Sequence, residues 1–202
     1  MNENTEINNG MLIKWLQVLI YIAIVSLLNS AISYLSFVPA AFTTWVSRGI
    51  MLAMVIAMFQ LAPLNGRYRK AGIMRAVMLA CALITAFFFG SSFLTLVASI
   101  ASIISVYQEY HAHSEIIADL DRKLLGAWQS LFNWSVISAV LVSLGASIVA
   151  VILVLTNMEA NASRISSITI GLLKVPQCVI EIVYMLYLRK MIALFAEGTA
   201  VR

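Results

Sequence analysis

Two ionisable side chains lie inside a long apolar stretch near the end of the sequence. Lys174 and Glu181 are seven residues apart, which is about two helical turns, so a helix places both on one face. Gln177 lies between them on the same face. Charged groups are costly in a bilayer and usually mark a site or a buried ion pair. The pattern predicts either a site for an anionic or zwitterionic solute or an internal Lys174–Glu181 pair.

Polar residues also follow one helical face of the first apolar stretch. They are Ser26, Asn29, Ser30 and Ser33. We expect Asn29 to share the polar environment of Lys174. Small polar faces also serve as helix-packing surfaces, and that alternative stays open.

A polar segment from 108 to 125 contains both histidines of the chain. His111 and Glu115 are four residues apart, as are Glu109 and His113, so each pair would share a helix face. Imidazole and carboxylate can bind a divalent metal, but a structural zinc site takes four ligands. His111 and His113 are therefore weak metal candidates, and we expect no metal and no other cofactor.

The same segment has four acidic and two basic residues, whereas the segment from 67 to 75 has four basic residues and no acidic one. Opposite charges on neighbouring loops attract, although salt screens them. We expect Arg67 and Arg69 to dock against Glu115 and Asp119, or these residues to receive a partner protein.

The elements that position these residues follow from composition. The chain is 62% apolar and 11% charged, with a mean hydropathy of +0.95. Soluble domains are about 45–50% apolar and about 25% charged. The sequence predicts an all-α polytopic transmembrane bundle in the plasma membrane. The net charge of +4 lies in short loops and does not indicate nucleic acid binding.

Six spans are preferred and five are the alternative, because residues 71–110 could form one span or two. A division at Gly90 gives two segments long enough to span and places the dense Lys/Arg clusters on one side. We expect a cytoplasmic segment at 1–14 and a single transmembrane domain at 15–202. Cytoplasmic segments are expected at about 63–75 and 108–130, with an amphipathic helix between spans four and five and both termini in the cytoplasm.

Several short stretches carry a resemblance to a known family. These are Tyr107 to Ser114, Asp121 to Leu124, Trp128 to Phe132, and Arg67 to Ala71. They resemble a pattern in small, uncharacterised polytopic membrane proteins of clostridia-like bacteria. The resemblance covers about a third of the chain and implies no known activity.

Two classes of function fit these features. One is a small transport or permeation component, with Lys174, Gln177, Glu181 and Asn29 at the solute. The other is a non-enzymatic scaffold or regulatory subunit that docks a partner, or a second copy of the chain, through its cytoplasmic loops. No Ser-His, Cys-His or paired-carboxylate arrangement inside the membrane accompanies Lys174, so an enzyme is not expected.

Overall fold

The computed structural model describes residues 3–33, 37–87, 92–155 and 159–200. For residues 3–8, 142–143, 146–147, 149–155, 159–174 and 198–200 it describes the backbone alone. Six α-helices account for nearly all of the described chain. They are α1 (Glu3–Ile32), α2 (Ala40–Leu61), α3 (Gly66–Phe87), α4 (Ser92–Ile117), α5 (Arg122–Leu155) and α6 (Glu159–Ala200).

The predicted division of residues 71–110 is confirmed. Helix α3 ends at Phe87 and α4 begins at Ser92, and the two helices pack against each other. The predicted turn at Gly90 falls in residues 88–91, outside the described residues. The region therefore forms two helices of spanning length rather than one overlong helix.

The amphipathic helix expected between spans four and five is not a separate element. Helix α4 continues to Ile117, a turn covers 118–121, and α5 begins at Arg122, where the Asp121 carboxylate accepts hydrogen bonds from the backbone N–H groups of Lys123 and Leu124. This is an N-cap. Ile117 and Leu124 are buried as expected, but they belong to the adjoining ends of two long helices.

The helices form a closed ring. Each helix packs against its neighbours in the chain, and α6 packs against α1. Short connections make successive helices antiparallel. Consequently the α2–α3 and α4–α5 connections lie at one end of the bundle, which we call the charged end because Arg67, Glu115 and Arg122 lie there.

The chain is an integral membrane protein of the polytopic α-helical class. Within the described residues, five stretches are long and apolar enough to cross a bilayer: Asn9–Ile32, Ala40–Leu61, Gly66–Phe87, Ser92–Ile117 and Arg122–Leu141. Helix α6 has 42 residues and contains Pro176 without interruption. It is longer than the roughly 20 residues that a span needs. The segment expected at 1–14 is helical from Glu3 and continuous with the first span.

Packing is tightest towards the charged end. Leu16, Met58, Leu61, Trp128 and Leu188 are fully buried there. At Gly72, which is buried, an added Cβ would lie 3.2 Å from the Met58 Cβ, so the glycine permits close approach of α3 to α2. Large apolar side chains towards the other end are exposed on the outside of the bundle, where lipid would surround them: Leu28, Phe42, Trp45, Phe87, Phe93, Leu96 and Leu144.

Candidate functional site: a central cavity with a charged floor

A cavity of about 280 Å³ lies at the centre of the ring, and all six helices contribute to its wall. The side chains that line it include one polar or flexible residue from each helix: Ser26, Met54, Arg75, Glu109, Ser135 and Glu181. The cavity is therefore a property of the whole bundle and not of one helix pair. Interhelical cavities of this kind are common places for ligand sites.

The floor of the cavity, on the side of the charged end, is an ion pair between Arg75 of α3 and Glu109 of α4. The Arg75 guanidinium Nη2 donates to Glu109 Oε2. The Tyr184 hydroxyl of α6 donates to Glu109 Oε1 at 2.5 Å. The Glu109 side chain is only 1% exposed, and the Arg75 and Tyr184 donors replace water at its two oxygens. A buried carboxylate needs such compensation.

His113 extends this cluster by one helical turn. Its Nδ1 lies 2.7 Å from the Tyr68 hydroxyl, and its Nε2 lies 3.9 Å from Glu109 Oε1. When the hydroxyl donates to Nδ1, the proton of the neutral ring is on Nε2 and faces the carboxylate. We call Tyr68, Arg75, Glu109, His113 and Tyr184 the Glu109 network.

Aromatic rings shield the Glu109 network from water. The ring of Trp128 lies 4.6 Å from that of His113, and Tyr110 lies 5.4 Å from Trp128 and 5.6 Å from Tyr184 between ring centroids. Tyr68, His113 and Trp128 have no exposed surface. Low local dielectric strengthens the electrostatic contacts inside this shell.

Helical spacing explains how the sequence assembles the floor. Tyr68 and Arg75 are seven residues apart on α3, and Glu109 and His113 are four apart on α4, so each pair lies on one face. The Ser105 hydroxyl donates to the Ala71 carbonyl at 3.2 Å and joins these two faces. Two facing helices thus present a cation and an acid at the same depth.

Glu181 lies in the wall of the cavity. The Ser26 hydroxyl of α1 donates to Glu181 Oε1 at 3.4 Å, while Oε2 is buried and has no partner among the described residues. Gln177 lines the cavity one turn earlier on α6. The Lys174 side chain, which we expected beside Glu181, lies outside the described side chains.

Asn29 lies elsewhere. Its amide nitrogen donates to Ser47 Oγ at 2.9 Å and to the Thr43 carbonyl at 3.1 Å, both on α2. It is buried between α1 and α2 and does not line the cavity. The polar face of α1 is divided, because Ser26 turns towards α6 and Asn29 turns towards α2. Asn29 therefore serves helix packing, the alternative that the sequence left open.

Of the four residues expected to dock, the structure brings together Arg67 and Glu115. Arg67 Nε lies 2.5 Å from Glu115 Oε1, and the Asn65 amide donates to Glu115 Oε2 at 3.0 Å. Arg69 and Asp119 are exposed, and neither forms an ion pair within the described part of the chain. The contact joins the beginning of α3 to the end of α4 at the surface.

The two histidines have separate environments. His111 Nδ1 lies 3.0 Å from the Tyr107 carbonyl in its own helix, whereas His113 belongs to the Glu109 network. Within the described residues, no group of three or more His, Cys, Asp or Glu side chains could hold a metal ion.

The floor is the part of the site that the sequence analysis missed. Arg75 was assigned to the basic cytoplasmic loop, and Glu109 and His113 to a solvated helix. Two signals pointed elsewhere. Arg75 is the one charged residue between Lys70 and Glu109, and it lies nine residues into α3, about 14 Å along the axis at the helical rise of about 1.5 Å. Glu109 and His113 share their face with Ser105 and Ala112, which are small enough for close packing.

Comparison with known proteins adds no relative: no family model, no curated protein and no solved structure matches the chain. The class of the protein therefore follows from its own fold and site. It is a polytopic membrane protein whose helices surround a partly polar cavity above a buried ion pair.

Proposed function

We propose that the protein is a small transport or permeation component that takes a small solute into its central cavity. The observation that carries the proposal is the cavity of about 280 Å³, whose wall includes residues of all six helices and combines apolar with polar side chains. Binding sites typically combine a mainly apolar wall with a few polar groups that orient the ligand. Ser102, Ser135, Gln177 and Glu181 supply such groups here.

The Glu109 network gives the cavity a closed floor. A solute that passes through the bundle must cross the layer formed by Tyr68, Glu109, His113 and Trp128, all of which are at most 1% exposed. Passage therefore requires this layer to open, while the Arg67–Glu115 contact lies on its outer side. The layer is thus the gate, and the cavity is the site that holds the solute.

We further propose that the charged end faces the cytoplasm of a plasma membrane, with both termini on that side. The Lys/Arg clusters at 67–75, 122–123 and 189–190 support this orientation. Cysteines introduced at Lys70 and Lys123 should be protected from an impermeant thiol reagent in intact cells and should react after permeabilisation. Labelling at Lys123 in intact cells would place the α4–α5 connection outside the cell.

A scaffold or regulatory subunit is the second candidate, because one observation favours it. Both Glu109 oxygens have donors, and a carboxylate so fully paired fixes helices without any ligand. On this alternative the loops at the charged end dock a partner protein, and the cavity is a dry space between helices.

The two candidates differ in whether water and small solutes enter the cavity. We would introduce Ser102→Cys, which lines the cavity, in a Cys81→Ala/Cys178→Ala background reconstituted into vesicles. The matched control is Ser99→Cys, which is exposed on the same helix and does not line the cavity. The thiolate is the nucleophile that attacks thiol reagents, and it forms in water and not in hydrocarbon.

For a transport component, Ser102→Cys reacts with small hydrophilic methanethiosulfonates added to either side of the membrane, and Ser99→Cys does not react. Protection of Ser102→Cys from both sides would show a dry cavity and would favour the scaffold. Reaction from one side only would overturn permeation through the centre and leave a one-sided binding site.

A further inference from the structure

The charged side chains that face the cavity do not cancel. Among the described residues they are Arg75, Glu109 and Glu181. Arg75 and Glu109 form an ion pair with each other. Glu181 then remains as one carboxylate in the wall with no cation beside it among the described side chains.

The two oxygens of Glu181 differ in their surroundings. Ser26 donates to Oε1, but Oε2 has no donor within the described part of the chain even though water is excluded from it. A buried acceptor that has lost its hydrogen bonds to water is unfavourable until another donor replaces them. Because Glu181 lines the cavity, a rotation of its carboxylate about the last side-chain bond would present this oxygen to a molecule inside the cavity, which can then supply that donor.

The rest of the wall indicates what kind of donor fits. Tyr110, Phe132 and Tyr184 present aromatic rings to the cavity, and most of the remaining surface is aliphatic. A cation is attracted to the face of an aromatic ring as well as to a carboxylate. The volume of about 280 Å³ lies just below the usual range of about 300–1,000 Å³ for drug-sized ligands, which limits the solute to a small molecule.

We propose that the cavity selects a small amine with an apolar body. The ammonium group donates to the Glu181 carboxylate and to the Gln177 amide oxygen, and the hydrocarbon part packs against Ile22, Met54 and Phe132. This inference rests on the proposed function and narrows the solute from any small molecule to a cationic one. It also changes the expectation from sequence, which assigned an anionic or zwitterionic solute to Lys174 and Glu181 together.

The test compares two thiol reagents of similar size and opposite charge, aminoethyl and sulfonatoethyl methanethiosulfonate, on the Ser102→Cys protein. Each rate is divided by the rate of the same reagent with a free thiol in solution, which removes intrinsic reactivity. We expect the ammonium reagent to be favoured by about tenfold, which corresponds to about 1.4 kcal/mol. Glu181→Gln should reduce the preference to about twofold or less, because it removes the attracting charge and keeps the shape.

The outcomes separate this inference from the proposed function. If neither reagent reacts, the cavity is dry and the proposed function fails. If both react and the sulfonate reagent is as fast or faster, the cavity admits solutes but the cationic assignment is wrong. A preference that persists in Glu181→Gln would place the attracting charge on another residue.

Lys174 requires a further control, because the ammonium group of this side chain could itself pair with the Glu181 carboxylate. With Lys174 present, the Ser102→Cys protein should already show the preference, and adding Lys174→Met should change it by no more than about twofold. A preference that is absent in the Ser102→Cys protein and appears only when Lys174→Met is added would show that Lys174 holds the site, and would overturn the proposal. Size-exclusion chromatography and helical circular dichroism confirm that each variant is folded. If Glu181→Gln fails to fold, the ratio of the two reagent rates in the Ser102→Cys protein alone decides whether the cavity prefers a cation.

Discussion

The floor of the cavity contains a buried carboxylate and the wall contains a half-buried one, and the two have different hydrogen-bond partners. Glu109 in the floor has an arginine on one oxygen and a tyrosine hydroxyl on the other. Glu181 in the wall has one weak donor, the Ser26 hydroxyl at 3.4 Å, and a second oxygen without a partner in the described part of the chain.

The difference separates residues that hold the bundle together from residues that remain available to a ligand. A fully paired buried charge fixes helices, and its partner cannot be removed without leaving an isolated charge. A half-paired charge contributes little to packing and can change its donor at low cost. Both residues are glutamates that line the same cavity, so residue type alone does not distinguish them.

Arg75→Met should have the largest effect, a destabilisation of about 3–5 kcal/mol, because it leaves the Glu109 carboxylate buried without its cation. Thermal or denaturant unfolding in detergent measures it. Arg69→Met on the same helix is the matched control, since Arg69 is exposed and its change should stay within about 0.5 kcal/mol. Adding Glu109→Gln to Arg75→Met should restore most of the lost stability. Absence of that rescue would mean that the two residues do not act as a pair.

Tyr184→Phe should come next, with a loss of about 1.5–3 kcal/mol, the usual range for a hydrogen bond to a charged group. The substitution keeps the ring against Tyr110 and removes only the hydroxyl that donates a hydrogen bond to Glu109. Tyr187→Phe, one turn further on the same helix, makes the same chemical change away from the network. Equal losses in the two variants would contradict the role given to Tyr184.

The contact between Arg67 and Glu115 should couple more weakly, at no more than about 1 kcal/mol, because both side chains are partly exposed. A double-mutant cycle with Arg67→Met and Glu115→Gln at low salt measures the coupling. It should shrink as salt is raised. The equivalent cycle with Arg69 should give none. Stronger coupling through Arg69 than through Arg67 would rule out the contact seen in the structure.

Glu181→Gln should have the smallest effect, within about 0.5 kcal/mol of the native protein, since the amide keeps the volume and no cation among the described side chains loses its partner. The same unfolding measurement applies. A loss similar to that of Arg75→Met would show that Glu181 balances Lys174 as an internal pair. In that case the contrast between floor and wall would disappear.

The helices and their number followed from features that act locally. Apolar runs of spanning length, the Lys/Arg clusters and Gly90 between two short segments were enough to separate α3 from α4. The amphipathic helix was misassigned because Ile117 and Leu124 give the same periodicity at the ends of two long helices as in one short surface helix.

The floor depends on contacts between distant residues, which explains why it was missed. Arg75 and Glu109 are 34 residues apart, and nothing in either neighbourhood specifies that their helices meet at the same depth. Arg75 follows three basic residues closely and was grouped with them. Asn29 was misplaced for the same reason. The periodicity of α1 predicted that Ser26 and Asn29 share a helix face, but it did not predict that this face contacts α6 at Ser26 and α2 at Asn29.

The pairing of Arg75 with Glu109 has a consequence for how the chain enters the bilayer. Both residues belong to α3 and α4, which are consecutive in the chain and pack against each other. During membrane insertion these two helices can therefore enter as a hairpin in which each charge already has its counter-ion. The unfavourable transfer of an isolated arginine or glutamate into hydrocarbon is avoided before α5 and α6 are synthesised. The same pair that closes the floor of the mature cavity would thus lower the free-energy cost of inserting this hairpin.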